Sequence, residues 1–165
     1  MPYVQRDAQN QITGAYANRQ EGYAEDFLPD DDAEVIAFLN PMRQRRAKVD
    51  AERDRRSARG FIFGGNLYQA RPVDIQNITG AGALAGLSVL TGSQPGDYRW
   101  HGGDSDFEWI SEDDSKVKMD APTCFAFAQT AMAHVSAHVF AGNAIKALLG
   151  TENEPADITD DALWP

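Results

Sequence analysis

The sequence predicts an α+β fold: small antiparallel hairpins packed against two main helices, with an N-terminal β unit joined by a helical segment. Three observations carry this. Segments 72–90 and 120–149 place apolar residues at helical spacing over lengths that strands do not reach. Around them lie only short β-prone runs, separated by turns rich in glycine, asparagine and aspartate. The 165 residues are 42% hydrophobic and include one cysteine, Cys124. A packed core, not a disulfide framework, must therefore hold the chain together.

Residues 3–6 and 12–16 are β-prone runs around a polar turn at 7–11, and a further short strand fits within 23–28. Two or three such strands are marginal alone and need a partner surface. Asp30, Asp31 and Asp32 precede a short helix at 33–39. Acids at a helix start favour the macrodipole, and Asp32 is the expected N-cap. Pro41 ends or kinks that helix. A second helix is expected over about 42–58, polar nearly all round, with Met42 and Val49 its only large apolar residues. Within it Glu52 and Arg56 form an i,i+4 pair worth roughly 0.2–0.5 kcal/mol. A helix this polar bridges two units or faces a partner.

Runs 60–63 and 67–70 flank Gly64, Gly65 and Asn66, a strong hairpin signal because these residues accept the positive φ of tight hairpin turns. Pro72 opens a helix to about Leu90, with Ile75, Ile78, Ala81, Ala85 and Val89 at helical spacing. Gly80, Gly82 and Gly86 interrupt it, each at about 1 kcal/mol against alanine. They mark either a close-packing face or a weak point. After a loop at 91–96, strands are expected at 98–100 and 107–110, a turn at 111–115 and an exposed strand at 116–119. Asp120 is the expected N-cap of a helix that reaches about Leu149, with Pro122 in its first turn and Gly150 as its stop. Phe125, Ala128, Met132, Val135 and Val139 repeat at 3,4,3,4 along it, and Phe127, Ala131, Phe140, Ile145 and Leu148 cover further faces. A helix apolar on so many sides is central to a core or to an oligomer interface. Phe61, Phe63, Trp100, Trp109, Phe125 and Met132 are the expected core residues.

This divides the chain into an N-terminal β/helix module (1–40), a polar basic helical linker (41–59), an α+β domain (60–150) and an acidic tail (151–165). The net charge of −10 disfavours nucleic acid and anionic membranes as partners. No apolar run approaches the roughly 20 residues of a membrane helix, and the N-terminus lacks an apolar signal core. Charge is unevenly placed. Residues 43–59 hold eight basic side chains and three acids, a net +5 that leaves −15 for the rest. Arg45, Arg46, Arg53 and Arg56 on that arm, with Leu163 and Trp164 in the tail, are the candidate partner-binding residues. A terminal tryptophan anchors into a partner's groove or folds back on its own domain.

No constellation in the sequence amounts to an active site, and no catalytic, metal or cofactor residue is assigned. His134 and His138 have the i,i+4 spacing of two metal ligands. The glutamate that a zinc protease needs after the first histidine is absent, and no third ligand is evident. Asp104, Asp106 and Glu108 begin like a calcium loop, but Trp109 and Ser115 stand where glycine and glutamate are required. Gly80, Gly82 and Gly86 lie within a helix, not after a strand as dinucleotide binding demands. No G-x-S-x-G nucleophile elbow occurs. The basic arm lacks the interleaved aromatics of a single-strand nucleic-acid site.

Residues from about 53 to 149 nevertheless carry a distinctive set. Arg55-Arg56, Gly60-Phe61, Phe63, Tyr68-Gln69, Arg71, Asp74, Asn77-Ile78, Gly80-Ala81, Trp100, Phe107, Trp109, Asp114 and Met119-Asp120 precede the helix bearing His134 and His138. Over roughly 53–149 the chain resembles the DUF4376 family, a domain of bacteriophage and prophage tail-fibre and tail-fibre-assembly proteins. One departure is Asp114-Ser115, where the family pattern has Asp-Asn, a change the hairpin should tolerate. The resemblance implies a setting more than a mechanism. The expected role is non-enzymatic: an assembly chaperone binding a tail-fibre chain, or alternatively a stoichiometric component of the virion tail, fibre-associated or baseplate-adjacent. Tail proteins are the implied partners, with homo-oligomerisation as a further expectation. The implied location is the host cytoplasm during assembly, or the virion tail.

Overall fold

In the computed structural model, which describes residues 2–165, the chain is organised along one helix. The elements run β1 (Tyr3–Arg6), β2 (Ile12–Tyr16), β3 (Asp26–Phe27), α1 (Ala33–Leu39), α2 (Pro41–Ser57), β4 (Phe61–Phe63), β5 (Asn66–Tyr68), α3 (Pro72–Leu90), β6 (Glu108–Ile110), β7 (Lys116–Lys118) and α4 (Ala121–Leu148). The fold is α+β, with every strand pair antiparallel. At 28 residues α4 is about 42 Å long. Its start is fixed by Asp120, whose carboxylate accepts from the Thr123 amide at 2.9 Å, with Pro122 in the first turn.

Both neighbouring helices run antiparallel to α4. On α3, Gly86 faces Phe125, Gly82 faces Ala128, and the Thr79 hydroxyl lies 3.6 Å from the Met132 sulfur. On α2, Asp50 pairs with Lys146 at 2.6 Å, Arg53 packs beside Gly142, and the Ser57 carbonyl accepts from His134 at 2.8 Å. Thus α3 covers the first half of α4 and α2 covers the second half.

The main core lies where the hairpins meet the α3–α4 pair. Phe127 is fully buried, with ring centroids of Phe61, Phe63, Tyr68 and Trp109 between 4.7 and 5.4 Å away. The β4–β5 hairpin is closed by Gly64 and Gly65 at φ 57° and 86°, a conformation that glycine reaches without steric cost. Pairing Phe61 with Tyr68 puts both rings on the inner face, while Ile62 and Leu67 face solvent. The Glu112 amide donates to the Leu67 carbonyl at 2.8 Å, tying β5 to the β6–β7 hairpin. Asp114 takes φ 64° in that hairpin's turn and the pairing forms around it, Trp109 opposite Val117.

Two expectations are corrected. Residues 98–100 form turns, not a strand. Gly96 and Gly102 hold positive φ on either side, and the Trp100 indole N–H donates to the Met119 carbonyl at 2.9 Å. The indole is therefore pinned from a loop. Phe125 and Met132, expected in the core, are 41% and 44% exposed. The inward face of α4 is Phe127 together with a stripe of mostly small residues: Ala121, Cys124, Ala128, Ala131, His138, Gly142 and Ile145. Small side chains there let α2 and α3 approach closely, and the bulkier repeat is rotated outward. Phe61 and Trp100 are buried as expected, with Phe63 and Trp109 packed at the core's rim.

The N-terminal sheet has the order β2-β1-β3. It finds its partner surface in α1, which packs against β2; Val35 of α1 and Ala24 are fully buried and Val4 of β1 nearly so. Asp32 caps α1 through the Glu34 amide, and Asn40 caps α2 through the Arg43 amide.

Candidate partner-binding surface

The basic helix α2 has two sides with different fates. Met42 and Val49 turn inward, where Val49 joins Ile145, Leu149 and Trp164 in a second apolar cluster. Three of the four arginines singled out in the sequence are neutralised by the chain's own acids. Arg45 pairs with Glu154. Arg53 pairs with Asp50 and Asp54 at 2.6 and 2.8 Å. Arg56 is 6% exposed and meets Glu52 at 2.6 Å and Asp161 at 2.8 Å. Glu154 and Asp161 come from the acidic tail, so these pairings offset part of the charge asymmetry of the sequence.

The tail completes the arrangement. A single 3-10 turn at Asp161–Leu163, capped by Asp160, delivers Trp164 onto α2 and α4. The indole N–H donates to the Ile158 carbonyl at 2.8 Å, and the Arg56 guanidinium lies 5.5 Å from the ring centroid. Trp164 is 8% exposed, and Leu163 packs beside it. Trp164, Leu163 and Arg56 thus serve the chain's own packing. As candidates for a free docking surface they are corrected, because intramolecular contacts occupy them.

The Arg55 guanidinium is the largest influence on Glu52; burial opposes it, and Arg56 adds to it. The net result holds the Glu52 carboxyl near 2, below its ordinary 4.5. A depressed carboxyl contributes stability above its unfolded value and loses it as pH falls toward the folded value. Glu52→Gln should therefore be less stable at neutral pH and lose less stability than the parent chain between 4.5 and 2. Urea titrations across that range measure the difference. Equal slopes for the two proteins would show that Glu52 does not carry the acid limb.

The histidines take structural roles. His134 donates from Nε2 to the Ser57 carbonyl, and His138 donates from Nδ1 to the His134 carbonyl at 2.9 Å. Their ring centroids are 4.5 Å apart, and burial lowers the pKa of His138. Among the described residues no group of three or more His, Cys, Asp or Glu is placed to hold a metal. Cys124 is buried, which raises its thiol to about 11.

What remains available on α2 is its first half. Arg43 and Arg46, one turn apart and exposed, make no side-chain ion pair or hydrogen bond among the described residues. They line one open depression with Asn40, Met42, Ala47 and Asp50. Arg43 also borders a notch between α1 and α2 formed by Ala33, Ile36, Ala37 and Ala47, with Asp31 at its edge. The sequence reading missed Arg43 and this notch. The run Arg43, Arg45, Arg46 before Val49 was the available signal, but which of these arginines stays unpaired, and the notch itself, depend on how α1 and the tail fold against α2.

The architecture is thus that of a small α+β domain built on an antiparallel helix pair, with a basic helix edge. The profile of a domain of unknown function, DUF4376, matches residues 41–162, and the chain belongs to this family. The match starts at Pro41, the first residue of α2, and takes in most of the C-terminal segment. It covers α2, α3 and α4 and ends just before Leu163 and Trp164. No curated protein and no solved structure matches the chain. Among the described residues no helix is long and apolar enough to cross a membrane.

Proposed function

We propose that the protein is a non-enzymatic phage tail accessory protein that binds a tail-fibre chain during assembly, using the Arg43–Arg46 edge of α2. The observation behind this reading is local. Arg43 and Arg46 share one open depression and are left unneutralised, Arg43 also bordering an apolar notch, in a chain whose other α2 arginines are paired internally. Such an edge suits an extended segment that carries a carboxylate next to an apolar side chain. The acidic remainder of the surface keeps the complex soluble while the partner's strand edges are still unpaired. The tail setting rests on the family resemblance set out above.

Both arginines are exposed, so Arg43→Ala/Arg46→Ala should leave the fold intact. The double variant should lose co-purification with the tail-fibre chain at least tenfold, and capture by the parent protein should weaken with added salt. Undiminished capture by the variant would move the binding site elsewhere. Incorporation at fixed stoichiometry into mature particles would favour the alternative role, a structural tail subunit. Mass spectrometry of purified particles beside whole lysate distinguishes the two.

A further inference from the structure

The outer faces of α3 and α4 take no part in the reading above. Together they form a surface without a formal charge. No Asp, Glu, Lys or Arg occurs in residues 75–96 or 121–145, in a chain that is 24% charged. Large apolar side chains reach solvent there: Leu84, Leu87 and Leu90 on α3, and Phe125, Met132, Val139 and Phe140 on α4. Leu90 is 85% exposed and Phe140 is 70% exposed. Phe125, Met132 and Val139 recur every seven residues, and exposed Gln129, Ser136 and Asn143 recur every seven between them. An alternating 4,3 spacing of this kind is a helix-pairing seam. Because Phe125 lies over Gly86 and Met132 beside Thr79, the seam borders α3.

Gly80 adds an independent observation. A helical glycine costs about 1 kcal/mol against alanine. Gly82, Gly86 and Gly142 each have a neighbouring side chain close to where a Cβ would stand, but Gly80 has nothing within 4 Å. The chain's own packing gives no reason for it, and close approach of another backbone would.

We propose that this face is the interface between two copies of the chain. Copies with a net charge of −10 repel one another over most of their surface. A charge-free face is where they meet without opposing like charges, and a partner recognised by charge would find nothing on it to pair with. The side chains of Gln129, Ser136 and Asn143 both donate and accept hydrogen bonds, so identical copies satisfy each other across a two-fold axis. Membrane hydrocarbon would leave them unsatisfied. The available area is adequate. Helices of about 28 and 42 Å lying side by side offer a face on the order of 700 Å², close to the ~800 Å² per partner of a stable interface. The proposal stands apart from the tail-binding reading, which uses α2.

Sedimentation velocity of the full-length protein at micromolar concentrations tests it, with Leu87→Glu and Phe140→Glu on the face and Ile62→Glu on the β4–β5 hairpin as the control. All three replace exposed side chains. The parent chain and Ile62→Glu are expected to self-associate. Leu87→Glu and Phe140→Glu should sediment as monomers with unchanged circular dichroism, their association weakened at least tenfold. A parent chain that stays monomeric overturns the proposal, whether it remains free or floats with phosphatidylcholine vesicles. So does an assembly that survives both face substitutions.

Discussion

Replacing Phe127 by alanine is expected to unfold the protein or bring it to the edge of unfolding. The side chain is fully buried, and four aromatic rings surround it from both hairpins: Phe61, Phe63, Tyr68 and Trp109. Truncating a buried phenylalanine costs about 3–5 kcal/mol in lost transfer energy and residual cavity. The whole stability of a domain is only about 5–15 kcal/mol. Phe127 is also where both hairpins meet α4, so collapse around the gap would have to move several elements together. Chemical denaturation gives the number, and a midpoint shift of under ~1 kcal/mol would be too small for a buried aromatic junction. Phe125→Ala, two residues away but 41% exposed, should cost much less.

Gly82→Ala should also be strongly destabilising, although alanine is the better helix former. A methyl group at Gly82 would overlap the Ala128 methyl on α4. The helix pair must then separate, at about 1–3 kcal/mol for overpacking, which outweighs the ~1 kcal/mol gained in helix propensity. Gly80→Ala is the matched control. Nothing lies within 4 Å of its would-be Cβ, so the same substitution should stabilise the folded monomer, by about 0.4–1 kcal/mol. Opposite signs at two glycines two residues apart are the expected result, read as urea midpoints in the Leu87→Glu background, where the chain is expected to be monomeric. Matching signs would mean that the α3–α4 approach is not as close as described.

How far the sequence discloses this molecule follows from what each signal depends on. Signals that depend on neighbouring residues are legible: the caps Asp32 and Asp120, the Gly64-Gly65 turn, the Glu52–Arg56 pair and the ends of α3 and α4. Signals that depend on which face meets which neighbour are less so. Several apolar stripes wrap α4, and the bulkiest, through Phe125 and Met132, suggests the core. Close packing against α2 and α3 selects the small-residue stripe instead, which hydrophobicity alone ranks below the larger side chains. The strand expected at 98–100 fails similarly, since Trp100 is buried from a loop whose anchor, the Met119 carbonyl, is distant in sequence. For the candidate surface, composition shows that α2 is basic. Only the fold shows that Arg45, Arg53 and Arg56 are answered by Glu154, Asp50, Asp54, Glu52 and Asp161, leaving Arg43 and Arg46 for a partner.

The central functional claim is that this chain assists a tail-fibre chain through the Arg43–Arg46 edge. Co-expression with the fibre gene of the same phage or prophage tests it most directly, with soluble fibre and fibre trimer as the quantities measured. The account predicts that the parent protein raises both and that Arg43→Ala/Arg46→Ala does not. Fibre solubility and trimer yield that are the same with the parent protein, with the variant and with neither would contradict it.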